Sequence, residues 1–153
     1  MLPEPLAQPL PQEEYEDIYS KVPRLTVEVV IVAANEAGVL LSRRQTGPCR
    51  GLWHIPGGTV RFAELLTEAA RRVPRSELGL DVDIGPMIGY IEYPSHLERG
   101  PDWPVGIAFR VHLTPSSEDD FRPTPDAVAW FATLPEEMHD EQKAFLTAHG
   151  LAA

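Results

Sequence analysis

Three residue types, glycine, glutamate and arginine, at fixed spacing within one stretch could carry chemistry. Pro56-Gly57-Gly58 makes a tight turn, Glu64 follows, then Arg72, then Glu77, and Gly79-Leu80 closes the segment. Glycines let a ligand approach the backbone closely, and their carbonyl oxygens can bind a hard cation. Carboxylates hold divalent cations, and guanidinium forks neutralise phosphates in a bidentate fashion. A strand, a glycine turn and a charged helix in that order read as a phosphate or metal site.

The helix that must position these groups is visible in the periodicity. Leu65, Ala69 and Val73 repeat at i, i+4 and i+8, with Leu66 and Ala70 beside them. Glu64, Glu68, Arg71, Arg72 and Arg75 fall on the other side, and Glu68 precedes Arg72 by one helical turn. Pro74 lacks the N–H that would bond the Ala70 carbonyl, so a kink or break near Arg72 is predicted, with a new turn capped by Ser76.

A chain of 153 residues with 43% hydrophobic and 24% charged residues reads as one globular domain. The formal net charge of −10 argues against nucleic acid and anionic membrane as partners, which favour basic surfaces. Local arginines or a divalent cation leave room for a small phosphorylated ligand. Cys49 is the single cysteine, which excludes an internal disulfide and makes a reducing cytoplasm the expected compartment. Apolar runs of membrane-spanning length and a basic-then-apolar signal layout are both absent from the sequence.

Residues 1–20 divide from the rest. Pro3, Pro5, Pro9 and Pro11 with Glu4, Glu13 and Glu14 predict an extended acidic arm, either a disordered tail or a strap on a second subunit, and a short helix follows over 14–21. The domain itself spans 21–153. Leu25–Ala33, apolar on both faces, reads as a central strand, and Val39–Arg43 as its hairpin return across Asn35–Gly38. Leu52–Ile55, Leu80–Ile84, Met87–Tyr93, Val105–Leu113 and Val128–Phe131 read as further strands, and a helix through Leu134, Met138 and Phe145 stops at Gly150. Pro94–Pro104 and Ser116–Asp120 read as polar loops. One helix in mid-chain and one at the end imply a mixed sheet between helices.

The segment from Gly58 to Leu80 resembles the Nudix box, G-x5-E-x7-R-E-U-x-E-E-x-G-U, with U a bulky apolar residue. Gly58, Glu64, Arg72, Glu77, Gly79 and Leu80 match. The resemblance, covering roughly residues 24–148, implies an α/β/α sandwich with a mixed β-sheet. It also implies hydrolysis of a nucleoside diphosphate linked to another moiety, assisted by Mg2+ or Mn2+. Two of the three glutamates after the arginine are replaced, by Val73 and Ser76, so one strong ligand remains on that helix face.

GDP-mannose mannosyl hydrolases, which lack part of the glutamate set and act at the sugar carbon, resemble the chain further through Glu77–Leu80 and the lead-in from Tyr15 to Pro23. That resemblance implies a metal held by the Gly58 carbonyl and Glu77, and a diphosphate met by Arg44 and Arg72. It also implies a base from the loop before the last strand, where Asp126 stands and no histidine does, with Glu118, Asp119 and Asp120 as more distant substitutes. Arg61 and Trp53 are candidates for the substrate, with a solvated loop residue as the alternative for Arg61 and a core residue for Trp53, and Glu64 is expected behind the site as a structural carboxylate favoured by the helix dipole. A homodimer is expected. Of the histidines, His54 reads as packed in a strand and His96 as a residue of the polar loop, with a pocket wall as the lesser alternative. His112 reads as solvent-facing, and His139 and His149 as surface residues of the last helix. The alternative function is a catalytically impaired Nudix fold that binds a nucleotide or a protein.

Overall fold

The computed structural model describes residues 10–47, 49–99 and 102–153. Of the N-terminal arm expected over residues 1–14, residues 1–9 lie outside the described residues, and Gln12–Glu14 already belong to the first helix. In chain order the elements are α1 (Gln12–Tyr19), β1 (Arg24–Ile31), β2 (Val39–Arg43), β3 (Trp53–His54), β4 (Gly57–Thr59), α2 (Leu66–Leu78) and β5 (Val82–Glu92). Then come α3 (His96–Arg99), β6 (Pro104–Leu113), α4 (Pro115–Asp120), β7 (Val128–Phe131) and α5 (Asp140–Ala148).

β1 is buried from Thr26 to Ile31, as its β-branched run requires, and it pairs in parallel with β6 over eight residues. β4 and β5 flank this pair antiparallel, giving a mixed sheet in the order β4-β1-β6-β5. A second, antiparallel sheet runs β3-β2-β7. α2 packs against β1, β4 and β5, burying Ala69, Ala70 and Val73 in one core with Val27, Val29 and Val111. A second core gathers Val30, Leu41, Ile55 and Leu146 on the side of α5. The expected mixed-sheet α/β/α sandwich is the architecture found.

Several local expectations change; α3 forms within the expected polar loop Pro94–Pro104, and α5 begins only at Asp140, past Leu134 and Met138. β2 does not return as the hairpin partner of β1; a single bridge, Val32 to Val39, joins them before β2 leaves for the second sheet. Leu80–Ile84 and Met87–Tyr93 are one bent strand, with register shifts after Ile84 and after Met87 that absorb Gly85 and Pro86. Ser116–Asp120 belongs to a helical turn begun by Pro115, where the Thr114 hydroxyl accepts the Ser117 amide at 3.3 Å. α2 runs unbroken through Pro74. The proline forfeits one backbone bond, to Ala70, but its ring is buried with the apolar face of the helix, which offsets part of the cost. Ser76 caps nothing; its hydroxyl leans back toward the Val73 carbonyl at 3.4 Å. Gly79, left-handed at φ 66°, ends the helix as only glycine does readily.

Candidate active site

Thr26, Glu28, His139 and Gln142 are the buried polar residues among those described, and all four line one cavity of about 60 Å3. Burying polar groups is costly unless they are satisfied, so their concentration marks this cavity as more than a packing defect. Arg24, Arg44, Gly58, Tyr93, His96 and Cys49 complete much of its wall. The space accommodates a water molecule or a small group, with a larger ligand having to lie across its mouth.

Glu28 sits at the bottom, on the most protected strand. Its Oε1 accepts the Tyr93 hydroxyl at 2.9 Å and the Thr26 hydroxyl at 3.0 Å. Gln142 donates to Tyr93 at 3.0 Å and accepts the Ile55 amide at 2.7 Å, so its amide orientation is fixed. Two glycines make room for the carboxyl. A Cβ on Gly106 would stand 2.6 Å from Oε1, and one on Gly57 would collide with Oε2. Burial pushes the Glu28 pKa up to about 7, against the opposing hydrogen bonds from Tyr93 and Thr26 and the charges of Arg24 and Arg44. A carboxyl poised there can take a proton at neutral pH.

The box arranges its residues differently from one another. Arg72 grips Glu64 with two bonds, Nε to Oε2 at 2.7 Å and Nη2 to Oε1 at 3.0 Å, and donates a third to the Thr59 carbonyl at 2.9 Å. Burial raises the Glu64 pKa, but those bonds, the Arg61 amide and the two arginine charges outweigh it, leaving it lowered. Arg72 is thus committed to holding β4 against α2. Val73, where the signature has a glutamate, is 1% exposed and packs under Gly58. Glu77 stands exposed on α2, at a cleft of about 500 Å3 that Asp120, Ser117, Arg122 and Thr124 also line. Partial desolvation raises its pKa, opposed by Arg44 and then Arg72.

Arg44 joins the two places. Its charge acts on Glu28, His54 and Glu77, it lines the cavity, and its guanidinium makes no hydrogen bond or ion pair among the described residues. His54 stays neutral there, its pKa lowered to about 4 by burial and then by Arg44. Asp126 is exposed in a turn closed by the Ala127 amide on Thr124, and it lines neither the cavity nor the Glu77 cleft. Trp53 is buried, edge-on to Phe131 at 4.8 Å in the second core. Arg61 lines a separate, largely apolar cleft of about 580 Å3 between α1 and β4, with Tyr15, Tyr19 and Phe62. The structure therefore brings Arg44 and Gly58 to the cavity and Arg44 within electrostatic reach of Glu77, but leaves Trp53, Arg61 and Asp126 outside it.

A NUDIX domain model matches residues 23–149. The chain belongs to the Nudix family. It is 45% identical over 84 residues to the low-salt glycan biosynthesis protein Agl8 of Haloferax volcanii, across 55% of this chain and 53% of that one. It is 31% identical over 78 residues to an ADP-ribose pyrophosphatase of Methanocaldococcus jannaschii, across 51% of this chain and 45% of that one. The chain thus spans about half the length of these curated relatives. Among solved structures, a MutT Nudix hydrolase from Burkholderia pseudomallei shares the fold at TM-score 0.67 and 22% identity, covering 83% of this chain and 98% of that one. No helix among the described residues is long and apolar enough to cross a membrane.

Sequence reasoning missed Glu28, Tyr93 and Gln142, and placed His139 on the surface where it is 4% exposed. One signal was available: a lone acid inside a strand apolar on both faces must be either partnered or used.

Proposed function

We propose that this Nudix protein hydrolyses a nucleoside diphosphate linked to another moiety, with a nucleotide sugar as the leading class. The observation that carries the reading is the pairing, in one cavity, of Glu28 near pKa 7 with Arg44, a cation that pairs with no acid among the described residues. Arg44 receives the diphosphate and Glu28 accepts a proton from the attacking water, which the small cavity isolates from bulk. Arg72 acts as a positioning residue through Glu64 and Thr59.

The Gly58 carbonyl and Glu77 are the residues that would hold Mg2+ or Mn2+. One carboxylate and one carbonyl suit a cation that otherwise keeps waters and substrate phosphates as ligands. When bound, the cation screens the diphosphate and eases departure of the leaving group. Names among the relatives support the substrate class, one pointing to glycan synthesis and one to a diphosphate-linked sugar.

Buried Val73 and the Ser76 substitution favour a second reading, a nucleotide-binding protein with little turnover. A panel of nucleotide sugars, ADP-ribose and nucleoside triphosphates with Mg2+ separates the two. Turnover of a diphosphate-linked substrate that falls in Glu28→Gln and Arg44→Ala supports hydrolysis. A thermal-shift gain without turnover would overturn it in favour of binding.

A further inference from the structure

Beside Glu28, the same cavity carries three groups that the hydrolytic reading leaves unused. Cys49 Sγ and one ring nitrogen each from His96 and His139 all lie within 4.8 Å of one another. They come from three separated segments: the loop before β3, the first residue of α3, and the residue preceding α5. The two histidines meet through their Nε2 atoms at 3.2 Å.

The other side of each ring explains why that contact is informative. His96 Nδ1 faces Asp102 Oδ1 at 3.2 Å, and Asp102 is itself gripped by Arg24 at 2.6 Å. Burial raises the Asp102 pKa, but the Arg24 bond and charge, then His96, outweigh it, so the group stays a carboxylate and accepts the Nδ1 proton. Glu141 Oε2, held by the Ser95 hydroxyl at 2.7 Å, lies 3.9 Å from His139 Nδ1, beyond hydrogen-bond reach but close enough to place a carboxylate behind that ring. With the His96 proton on Nδ1, its Nε2 lone pair faces His139 Nε2 across 3.2 Å. Either a proton or a cation held between the two nitrogens satisfies that lone pair. Two nitrogens on one tetrahedral zinc, at bonds of about 2.0–2.1 Å, stand about 3.3 Å apart. Carboxylates behind the ligating rings are the usual outer support of such sites.

We infer that Cys49, His96 and His139 form a binding site for a zinc-class divalent cation, with a fourth position open to the cavity. Its nitrogen and sulfur donors distinguish it from the oxygen donors Gly58 and Glu77, and so from Mg2+. Binding displaces the thiol proton to solvent and ties the Cys49 loop to α3 and α5, fixing the wall next to Arg44.

Co2+ titration of the untagged chain under reducing conditions tests this. The expected result is one Co2+ per chain, with four-coordinate d–d bands and a thiolate-to-cobalt charge-transfer band that Zn2+ abolishes and excess Mg2+ leaves unchanged. Cys49→Ser removes the charge-transfer band, and His96→Asn weakens binding about tenfold or more, each with the circular dichroism of the wild type. A wild type without the charge-transfer band, which would leave a shared proton between the rings, overturns the inference. So does a band that survives both substitutions, or one that Mg2+ displaces. The readout is independent of turnover, so it stands or falls apart from the hydrolytic reading.

Discussion

The Tyr93 hydroxyl donates to Glu28 at 2.9 Å from just past the end of β5, 65 residues away in sequence, and this bond tunes the buried carboxylate of the cavity. Burial raises the Tyr93 pKa well above its ordinary value, with the Glu28 charge adding to it, so the phenol stays protonated and remains a donor. The bond favours charged Glu28 and restrains the rise that desolvation imposes. Glu28 must be charged to take a proton, so turnover should rise with pH along a limb centred near 7. Tyr93→Phe should move that limb to higher pH, and Glu28→Gln should lower kcat by about 100-fold or more. A pH–rate profile for the three proteins checks this.

Stability carries the same group with the opposite slope. The folded-state pKa of Glu28, about 7, lies above the ordinary 4.5, so the folded state holds the proton more tightly. The stabilisation is full below pH 4.5 and is lost as pH rises toward and through 7. A shift of that size corresponds to about 3 kcal/mol. Urea denaturation at several pH values should show the wild type losing stability across this window relative to Glu28→Gln, whose own profile lacks that loss.

The Arg72–Glu64 clamp predicts the reverse slope. Glu64 has a side chain only 5% exposed and a lowered pKa, so it stabilises above its unfolded pKa and ceases to as pH falls through the folded value. Arg72→Ala leaves that carboxylate and the Thr59 carbonyl without their guanidinium partner. A loss of about 2–4 kcal/mol at pH 7 is expected, shrinking in acid, by denaturant melts.

Gly106→Ala tests the space around the base. The new methyl group would stand 2.6 Å from Glu28 Oε1 and 3.0 Å from Thr26 Oγ1, both on buried side chains. A cost of about 1–3 kcal/mol by thermal or urea unfolding is expected, with a fall in kcat, whereas Gly79→Ala, with open space around it, should leave kcat unchanged.

The sandwich was legible because its signals are local and redundant: a β-branched β1, an amphipathic α2 and glycines at its two ends. Where one residue had to be judged alone, tertiary packing decided. Pro74 sits in an intact helix because its ring joins the core, and β2 leaves β1 because β7, which pairs with it from Val39 to Ser42, lies far along the chain. The site was legible only in part. Arg44 and Gly58 reach the cavity, but Glu28 was hidden in an apolar run, and His139, the residue before α5, acquires its meaning from His96, 43 residues away. No periodicity encodes a pairing between such distant segments.

In the proposed reaction Glu28 supplies the base and Glu77 the cation site of one hydrolytic centre. Initial rates of nucleotide-sugar hydrolysis across a Mg2+ titration, for wild type, Glu77→Gln and Glu28→Gln, test this pairing. Expected are a rate that requires Mg2+, a demand for about tenfold or more Mg2+ in Glu77→Gln, and a low rate at every Mg2+ concentration in Glu28→Gln. Wild-type rates and Mg2+ dependence in both variants would contradict it.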